Sequence, residues 1–458
     1  MNKMLMTDSY KLSHYSVFNP DVDYMHYYIE ARCGKWNRTL FFGLQMILED
    51  YFSKQFTIDE LKEANDIAEL HGVPFPYDEW KYIIDEYNGY LPLRIDAVEE
   101  GSVIPTSNIL VSVTNTDPQC YWLPSYVETV LLRAVWYPTT VATQGFYIKR
   151  LLLDFLKETG TPELVDFKLH DFGARSSKSS EAAAIGGCAH LVNFKGTDTL
   201  EGLMYANKYY SAGVSGFSIP ALEHSVVMSY GRDNERHAYE MFLSRYSRNI
   251  RAMVVDTYDL YSAIENIVGN DLKDMIINDS GHTVVIRPDS GNPVATSTNT
   301  INKLMDKFGF YVNEKGYKVL PDYIRVIHGD GISYQSIQDI IFEMKAQKLS
   351  GDNIAFGMGS KLLDQLDRDN LSFAMKNCAN VLNNKTVMHV RKDPKTDNNK
   401  RSKAGILSLI KDEHGNYKTL ENMDYIHSKD LLETVFENGK IVKRYSLFDI
   451  RNKVNESL

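Results

Sequence analysis

The stretch "VVIRPDSGNP" (residues 284–293) joins an apolar β-branched run to a pair of opposite charges. Residues 284–286 are typical of a strand that is buried on both faces, as in a parallel sheet. Arg287 and Asp289 follow at once, and the ring of Pro288 fixes the backbone between them. The stretch therefore predicts a buried strand with a fixed cation and a fixed anion at its carboxyl end. An Asp289 that only caps the next helix is the alternative interpretation.

The same succession of patterns recurs between residues 165 and 375. A short apolar run ends in glycine, charged or hydroxyl residues, and a helix-like segment follows. Further examples are "VDFKLHDFGARSS" (165–177), "HLVNFKGTDTLEGL" (190–203), "AMVVDTYDLYSAI" (252–264), "YIRVIHGDGIS" (323–333), "NIAFGMGSKLL" (353–363) and, more weakly, "GFSIPALEHS" (216–225). Strands that alternate with helices predict βα units, and this number of units favours a (β/α) barrel. An open doubly wound sheet is the alternative, and in both cases the polar strand ends converge on one face.

The two ends of the chain are richer in strand and turn signals. Residues 91–118 alternate apolar and polar positions, and "DEHGNY" and "ENGK" near the C-terminal end are hairpin-turn signals. We therefore expect an α/β protein with a second, β-rich domain built from both chain ends. Its N-terminal part, with helices leading into the barrel, is expected over 1–150, the barrel with the active site over 151–378, and its C-terminal part over 379–458.

Length, charge and cysteine usage narrow the class of function. A chain of 458 residues exceeds what one hydrophobic core usually serves, so two domains are expected. The net charge of −10 disfavours nucleic-acid binding as the main function. The four cysteines form no C-x-x-C pair, and we find neither a signal peptide nor an apolar run of about 18 residues. We expect a cytoplasmic protein that binds neither nucleic acid nor membrane.

Charged side chains gather at the predicted strand ends: Asp171, Arg175, Asp198, His224, Asp256, Arg287, Asp289 and Asp330. Any single aspartate there is most simply a helix cap, but capping does not explain the arginines. The turns "HGDGIS" and "GMGSK" place glycine where a backbone can approach a phosphate closely. Neither a Walker A sequence nor a full G-x-G-x-x-G follows a strand, which argues against P-loop and Rossmann folds.

Aromatic and basic residues complete the candidate site. Tyr10 and Phe172 are candidates for stacking on a planar ring, although core packing is the commoner fate of such side chains. The basic cluster Lys400, Arg401 and Lys403 is either a solvated face or part of a phosphate site. Aspartates at strand ends suit a hydrated Mg²⁺ that also binds substrate phosphates. These ingredients point to a polyphosphorylated sugar donor and a flat acceptor.

The motifs "TDSYKLSHY", "FGLQ", "NTDPQCYWLPSYVET", "WYPTTVAT", "KLHDFGAR", "AHLVNFKGTDT", "IPALEHS", "IRPDSGNP", "VIHGDGI", "NIAFGMG" and "KDPKTDNNKRSKAG" occur in this order along nearly the whole chain. As a set they resemble the nicotinamide phosphoribosyltransferases of the type II phosphoribosyltransferase family. The resemblance implies an irregular α/β barrel with a β-rich domain, in a homodimer with shared active sites. It also implies transfer of 5-phosphoribosyl from 5-phosphoribosyl-1-pyrophosphate to nicotinamide, which gives nicotinamide mononucleotide and pyrophosphate in NAD salvage.

The resemblance implies roles for individual residues of this chain. The base pocket is implied to consist of Phe172, Arg175, Asp198, Ser218 and, from the partner subunit, Tyr10. The ribose and phosphates of the donor are implied to contact Asp256, Arg287, Asp289, Gly329, Asp330 and Gly359. Further phosphate or pyrophosphate contacts are implied for Arg32, Arg368, Lys376 and Lys392, some of them across the dimer.

The resemblance also implies cofactors and an ATP-dependent step. His224 matches a histidine that the family phosphorylates with ATP as a co-substrate, so His224, Asp256 and Asp289 are the candidate catalytic residues. Asp256 and Asp289 are the candidate holders of Mg²⁺, directly or through water or pyrophosphate. This chain departs from the family pattern at Ser360 and Lys361, where the phosphate loop is usually richer in glycine.

Three alternative functions remain open at this stage. Nicotinate phosphoribosyltransferase shares the fold and the donor, but a carboxylate at Asp198 favours an amide and repels a carboxylate substrate. A non-enzymatic binding protein of the same fold would not need the whole set of strand-end charges. A generic sugar-phosphate barrel enzyme would release no pyrophosphate.

Overall fold

The computed structural model describes residues 1–279, 282–396 and 401–458. Lys400 of the basic cluster therefore lies outside the described residues. The strands are β1 (Val22–Ala31), β2 (Arg38–Leu40), β3 (Leu93–Ala97), β4 (Val103–Pro105), β5 (Ile109–Asn115), β6 (Leu169–Asp171), β7 (Gly196–Thr197), β8 (Arg251–Val254), β9 (Val284–Arg287), β10 (Tyr311–Val312), β11 (Lys318–Val319), β12 (Ile324–His328), β13 (Ile354–Met358), β14 (Phe373–Leu382), β15 (Thr386–His389), β16 (Ser408–Lys411), β17 (Tyr417–Leu420), β18 (Glu433–Glu437) and β19 (Lys440–Ile441).

The helices are interspersed with these strands along the chain. The α-helices are α1 (Leu44–Ile47), α2 (Ile58–His71), α3 (Tyr77–Tyr87), α4 (Leu123–Tyr126), α5 (Glu128–Thr159), α6 (Ser180–His190), α7 (Leu200–Tyr210), α8 (His224–Tyr230), α9 (Glu235–Arg245), α10 (Leu260–Ser262), α11 (Lys273–Asn278), α12 (Pro293–Phe308), α13 (Tyr334–Ala346), α14 (Ser360–Leu363) and α15 (Leu447–Asn455). π-Helical turns follow α1 at Leu48–Phe52 and α10 at Ala263–Asp271, and short 3₁₀ turns include Ala174–Ser176 and Arg368–Asn370.

The chain divides into two units. The first comprises Met1–Thr143, Lys208–Ala212 and Asp367–Leu458, and the second comprises Gln144–Asn207 and Gly213–Leu366. The expected boundaries were 150/151 and 378/379, whereas these lie at 143/144 and 366/367. Two elements account for the differences: α5 runs without a break across the first boundary, and β14 pairs with β1, which places residues 373–378 in the first unit.

The second unit is built on a parallel sheet in the order β7-β6-β13-β12-β9-β8. The segment 217–222 hydrogen-bonds to both edges of this sheet. Thr197 N donates to the Phe217 carbonyl over 3.0 Å, and Leu222 N donates to the Ala252 carbonyl over 2.9 Å. The sheet thus closes on itself through an irregular segment, and the predicted α/β fold with an irregular barrel is confirmed.

The stretch that follows β9 shows how the sequence builds one βα unit. Val284 and Ile286 are buried, and burial of such a side chain contributes roughly 1.5–3 kcal/mol. Pro293 occupies the first turn of α12, where a missing N–H costs nothing, and the Asn292 side chain accepts from the N–H groups of residues 294 and 295. The helix ends at Gly309, whose φ of 81° few other residues tolerate. Each local preference therefore agrees with the parallel barrel.

The first unit is built on a sheet that draws strands from both chain ends, in the order β15-β14-β1-β5-β3-β18-β19. The paired strands are antiparallel, and β1 lies between β14 and β5. The "ENGK" hairpin joins β18 to β19 through Asn438 and Gly439, which have φ values of 46° and 83°, as a type I′ turn requires. The "DEHGNY" signal likewise lies between β16 and β17, which pair as a hairpin.

Candidate active site

The carboxyl ends of the parallel strands gather the predicted site residues. Asp171 ends β6, Asp198 follows β7, Asp256 follows β8, Arg287 ends β9, Gly329 and Asp330 follow β12, and Gly359 follows β13. In a barrel of parallel strands these ends open on one face, which is where enzymes of this architecture bind their ligands. The predicted convergence of polar strand ends is therefore present in the second unit.

Two cavities meet at this face. The outer one has a volume of about 300 Å³ and is lined by Phe172, Ala174, Arg175, Asp198, Thr199, Arg287, Asp289, Gly329 and Gly359. The inner one, of about 690 Å³, occupies the barrel interior; Phe172, Asp198 and Arg287 line both cavities, and Ser218 lines the inner one. Phe172 thus stands where the polar outer cavity passes into the barrel.

A carboxylate cluster lies beside the outer cavity. The Asp256 side chain is 3% exposed. Its Oδ2 accepts hydrogen bonds from the Asp289 main-chain N–H at 2.9 Å and the Ser290 hydroxyl at 2.5 Å. Its Oδ1 has no hydrogen-bond partner among the described residues. A buried carboxylate oxygen without a donor is costly, so this atom is poised for a cation or a donor supplied by a ligand.

Helix capping does not account for these aspartates. The cap of α12 is Asn292 and not Asp289, and the cap of α13 is Ser333 and not Asp330. After β8, Asp259 caps α10, which leaves Asp256 free of that role. The interpretation of Asp289 as a simple helix cap is therefore wrong.

His224 is the first residue of α8, and its ring lies between a hydroxyl and two carboxylates. Nδ1 is 3.0 Å from Oγ1 of Thr257. Nε2 is 3.8 Å from Oδ1 of Asp256 and 3.7 Å from Oδ2 of Asp289, which is too far for a hydrogen bond. The ring is therefore fixed at Nδ1 and leaves Nε2 unbonded beside the carboxylates. The sequence reasoning did not single out Thr257; a hydroxyl residue directly after a strand-end aspartate was its only signal.

Glycine is required at two places around the Phe172 ring and Asp289. A Cβ at Gly357 would lie 2.0 Å from Cε2 of Phe172, so the ring packs directly on the backbone of β13. A Cβ at Gly329 would lie 2.7 Å from Oδ1 of Asp289. At Gly359 the nearest atom would be 3.7 Å away, an ordinary contact. Gly357 was missed from the sequence, although it is the first glycine of the "GMG" motif.

The two aspartates at the ends of the neighbouring strands β6 and β7 differ in their surroundings. Asp198 Oδ1 accepts from the Ser218 hydroxyl at 2.5 Å. Burial raises the pKa of Asp171 to about 6, against the lowering effect of the hydrogen bond from the Gly173 N–H. Asp171 Oδ1 accepts the Gly173 N–H at 2.7 Å and thereby shapes the turn that carries Phe172.

Cations of the second unit stand at the same face. The Arg287 guanidinium lies 3.8 Å from Oδ2 of Asp289, and its buried Nε has no hydrogen-bond partner among the described residues. Arg175 is exposed and lines the outer cavity. Both arginines therefore offer guanidinium donors at this face, which suits a phosphate or carboxylate.

The remaining predicted residues lie in the first unit: Tyr10, Arg32, Arg368, Lys376 and Lys392. Tyr10 is 58% exposed. Burial lowers the pKa of Lys376, an effect that Glu128 opposes and that Arg32, Lys11 and Lys392 reinforce, so these cations are neighbours. Arg368 pairs instead with Asp369 at 3.1 Å. The structure thus brings Arg32, Lys376 and Lys392 together in one basic group within this unit.

The Arg32 and Lys376 side chains belong to a wider set of ion pairs. Glu30, 2% exposed, pairs with Arg32 Nε at 3.1 Å and with the Lys403 ammonium. Glu128 pairs with Lys11 at 2.7 Å and lies 3.7 Å from Lys376. Each of the two glutamates therefore lies close to two cations. Lys403, from the basic cluster near the C-terminal end, is part of this arrangement and not a freely solvated residue.

The donors present fit a magnesium ion better than a metal held by protein alone. In the described ranges no group of three or more His, Cys, Asp or Glu side chains is arranged to hold a metal. One unpartnered oxygen of Asp256, with Asp289 beside it, is the donor set that Mg²⁺ uses when substrate phosphates complete its coordination.

Within the part of the chain that the structure describes, no helix is long and apolar enough to span a membrane.

Comparisons with known proteins agree with this architecture. The family model described as the nicotinate phosphoribosyltransferase (NAPRTase) family matches residues 167–440, and the model of the nicotinamide phosphoribosyltransferase N-terminal domain matches residues 2–95. The structure of nicotinate-nucleotide pyrophosphorylase from Pyrococcus furiosus superimposes with a TM-score of 0.61 at 15% identity, covering 100% of this chain and 95% of that one. Human nicotinic acid phosphoribosyltransferase gives 0.60 at 14% identity, covering 99% and 93%.

The fold and the strand-end site define a phosphoribosyltransferase, as the sequence predicted. Because the family model spans more than half of its residues, the chain belongs to the nicotinate phosphoribosyltransferase family. A relative from Xanthomonas campestris named nicotinamide phosphoribosyltransferase is 46% identical over 459 residues, which cover 98% of this chain and 97% of the relative. A relative of the same name from Acinetobacter baylyi is 30% identical and covers 100% of this chain and 98% of its own length.

Proposed function

We propose that this chain transfers the 5-phosphoribosyl group of 5-phosphoribosyl-1-pyrophosphate to nicotinamide, giving nicotinamide mononucleotide and pyrophosphate for NAD salvage. The observation that carries the proposal is the position of Asp198, a carboxylate beside Phe172 where the two cavities meet. A carboxylate there accepts an amide N–H₂ and repels a carboxylate substrate. The names of the relatives from Xanthomonas campestris and Acinetobacter baylyi support the same acceptor.

In the proposed reaction the protein contributes positioning and electrostatics. The pyridine nitrogen of nicotinamide attacks C1 of the ribose as the bond from C1 to the pyrophosphate oxygen breaks, and pyrophosphate leaves with that electron pair. Phe172 stacks on the base, Asp198 accepts its amide, and Ser218 orients the Asp198 carboxylate through their hydrogen bond. Tyr10 of the partner subunit closes the other side of the base. Holding the two reactants in line removes much of the entropic barrier.

The donor is proposed to lie across the outer cavity. Arg287 and Asp289 anchor its ribose and pyrophosphate, Gly329, Asp330 and Gly359 approach its 5′-phosphate and ribose, and Arg175 contacts the base pocket from the rim. Arg32, Arg368, Lys376 and Lys392 contribute further phosphate contacts, some of them across a homodimer. Support for this assignment comes from the free guanidinium donors and glycine-lined backbone described above.

Asp256 and Asp289 are the residues proposed to hold Mg²⁺. Bound there, the ion would stabilise the negative charge that develops on the leaving pyrophosphate. Asp289 and Ser290 keep Asp256 in place through their hydrogen bonds to its Oδ2, which directs Oδ1 to the cation.

The proposal includes ATP as a co-substrate that phosphorylates His224. Phosphohistidine would add negative charge beside the magnesium site and so alter the binding of Mg²⁺ and the donor. The closeness of His224 Nε2 to Asp256 and Asp289 supports this coupling.

The deciding experiment is incubation of the protein with the pyrophosphate donor, Mg²⁺ and either nicotinamide or nicotinate, each with and without ATP. We expect nicotinamide mononucleotide and pyrophosphate, formed faster when ATP is present. A clear preference for nicotinate would overturn the acceptor, and no mononucleotide under any condition would overturn the proposal. Equal rates with and without ATP would remove the ATP-dependent step alone.

A further inference from the structure

We propose that Glu30 is a positioning residue that holds the Arg32 guanidinium ready to bind a phosphate group of the donor. The proposal rests on the function proposed above, in which Arg32 contributes a phosphate contact. Glu30 lies near the end of β1 and is 2% exposed. Its Oε1 accepts a hydrogen bond from Arg32 Nε at 3.1 Å. The carboxylate therefore holds the guanidinium through Nε.

This contact leaves part of the Arg32 guanidinium without an acceptor. A guanidinium carries several N–H donors in a fixed plane, and Nε supplies only one of them. Arg32 Nη2 is buried and has no hydrogen-bond partner among the described residues. A buried charged donor without an acceptor is costly, and phosphate oxygens satisfy guanidinium donors well. Arg32 is thus held in an arrangement that a phosphate would complete.

The Glu30 carboxylate is itself fixed by neighbours from distant parts of the sequence. The Tyr28 hydroxyl donates to Oε1 at 3.2 Å, and the Lys403 ammonium pairs with Oε2. The same hydroxyl accepts the main-chain N–H of Lys403 at 2.9 Å. Both carboxylate oxygens are therefore engaged, and a satisfied buried network of this kind is rigid. A rigid carboxylate keeps Arg32 Nε in one place.

The alternative role for this carboxylate is only to neutralise the cations around it. Neutralisation depends on the charge, whereas positioning also depends on where the carboxylate lies. Glu30→Asp separates the two roles, because it keeps the charge and withdraws the carboxylate by one methylene. The shorter side chain cannot hold both Arg32 Nε and the Lys403 ammonium as Glu30 does. Loss of this charge-assisted hydrogen bond should weaken phosphate binding about tenfold.

The test measures the binding of inorganic pyrophosphate, with Mg²⁺, to the purified full-length protein by isothermal titration calorimetry. It compares the wild type with Glu30→Asp, Arg32→Ala and the double variant. Asp96→Glu is the matched control, because Asp96 accepts Arg94 Nε at 2.9 Å on β3 of the same sheet. This control also moves a carboxylate by one methylene at constant charge. Thermal unfolding checks that each variant is folded.

Tyr28→Phe tests the same arrangement with a milder change. It keeps every charge and the buried ring, but it removes the hydroxyl that donates to Glu30 Oε1. We expect the Kd of pyrophosphate to rise about threefold, because the carboxylate is then held less firmly. This variant decides the question where Glu30→Asp does not fold.

We expect Glu30→Asp to raise the Kd of pyrophosphate about tenfold, and to have no further effect beside Arg32→Ala, since Glu30 acts through Arg32. In steady-state kinetics the KM for the donor should rise in Glu30→Asp while the KM for nicotinamide stays unchanged. A merely structural role would not produce this split. Asp96→Glu should bind pyrophosphate as the wild type does.

An unchanged Kd in whichever of Glu30→Asp and Tyr28→Phe folds would overturn the role of Glu30 and leave the Arg32 contact intact. An equal loss in Asp96→Glu, or a loss from Glu30→Asp that persists beside Arg32→Ala, would overturn it too. An Arg32→Ala variant that binds pyrophosphate as the wild type does would also overturn the phosphate contact proposed for Arg32. Mononucleotide formation by the wild type tests the proposed function separately.

Discussion

At the strand ends of the barrel Asp256 keeps a buried oxygen without a partner, whereas in the first unit Glu30 and Glu128 each hold two cations. Both regions contain carboxylates in poorly solvated surroundings. In the first unit each of the two carboxylates is already paired with cations, so neither glutamate needs a ligand. At the barrel end the compensation is incomplete, and this is the place where a cation and a phosphorylated ligand gain most. The two regions therefore differ in whether their buried carboxylates already have partners.

The largest effect is expected from Asp289→Ala. The variant should fold, because Asp289 caps no helix, but its kcat should fall about a hundredfold or more, as when one electrostatic contact to a transition state is removed. The measurement is mononucleotide formation at saturating donor and base. Asp322→Ala is the matched control, since this carboxylate is 89% exposed and pairs with Arg325. Normal turnover in Asp289→Ala would mean that the strand-end carboxylates only stabilise the fold.

Asp171→Asn should change stability in a way that depends on pH. Burial raises the pKa of Asp171 from 3.8 to about 6, so the folded state disfavours the charged form. That penalty is absent well below the unfolded-state pKa, grows as the pH rises, and is complete above the folded-state pKa. The variant should therefore match the wild type near pH ~3 and exceed its unfolding free energy by up to about 3 kcal/mol near pH ~7.

Urea unfolding of Asp171→Asn and the wild type across this pH range measures the difference. Glu128→Gln in the first unit provides the contrast, because it removes a carboxylate that is already compensated. A difference for Asp171→Asn that does not vary with pH would show that the Asp171 carboxyl has the same pKa in the folded and in the unfolded state.

A smaller effect is expected for Asp198→Asn on the choice of base. Replacing the carboxylate by an amide removes the repulsion of a carboxylate substrate and retains a hydrogen-bonding group for Ser218. The ratio of kcat/KM for nicotinamide to that for nicotinate should fall about tenfold. Glu201→Gln, which neutralises a neighbouring acid outside the cavity lining, should leave the ratio unchanged. An unchanged ratio in Asp198→Asn would place base selection elsewhere.

The smallest effect is expected for Glu128→Gln in the first unit. Lys11 and Lys376 lose their shared anion, and the unfolding free energy should fall by about 1 kcal/mol, the range for a partly exposed ion pair. Because the cations then repel one another, added inorganic pyrophosphate should recover part of the loss. Asp85→Asn, which breaks an exposed pair with Lys81, should cost less. A Glu128→Gln variant as stable as the wild type would show that the basic group needs no compensation.

Those parts of the fold that depend on local preferences could be predicted from the sequence. The run at 284–287 is a buried parallel strand and Asn438-Gly439 is a hairpin turn, as predicted. Both predictions were possible because a few neighbouring residues determine each of these local structures. The segment 216–225 was a weaker βα candidate, and it forms no regular strand. Pro220 has no N–H to donate, and the segment instead bridges the two edges of the barrel sheet through two main-chain hydrogen bonds at each edge.

The candidate site could be predicted only as far as residue types and strand ends allow. A charged residue directly after an apolar run can be recognised from the sequence alone, which is how Asp256, Arg287 and Asp289 were found. Thr257 and Gly357 were missed, since their importance lies in a rotamer beside His224 and in the packing of Phe172 against a strand far away in the chain. Such contacts exist only once the barrel has closed.

The order of strands in the first unit has a consequence for how the chain folds. Its sheet places β14 beside β1 and β18 beside β3, on either side of the three N-terminal strands, so Arg94 pairs with Glu437, near the other end of the sequence. During synthesis the second unit, which comprises 144–207 and 213–366, is made before β14 exists. The strands β1, β3 and β5 are made earlier still, so β1 and β3 lack their partners β14 and β18 during this time. Long loops of this kind close slowly. Nascent chains arrested at residue 366 should therefore be protease-sensitive over 22–115, and those extended past 441 protected.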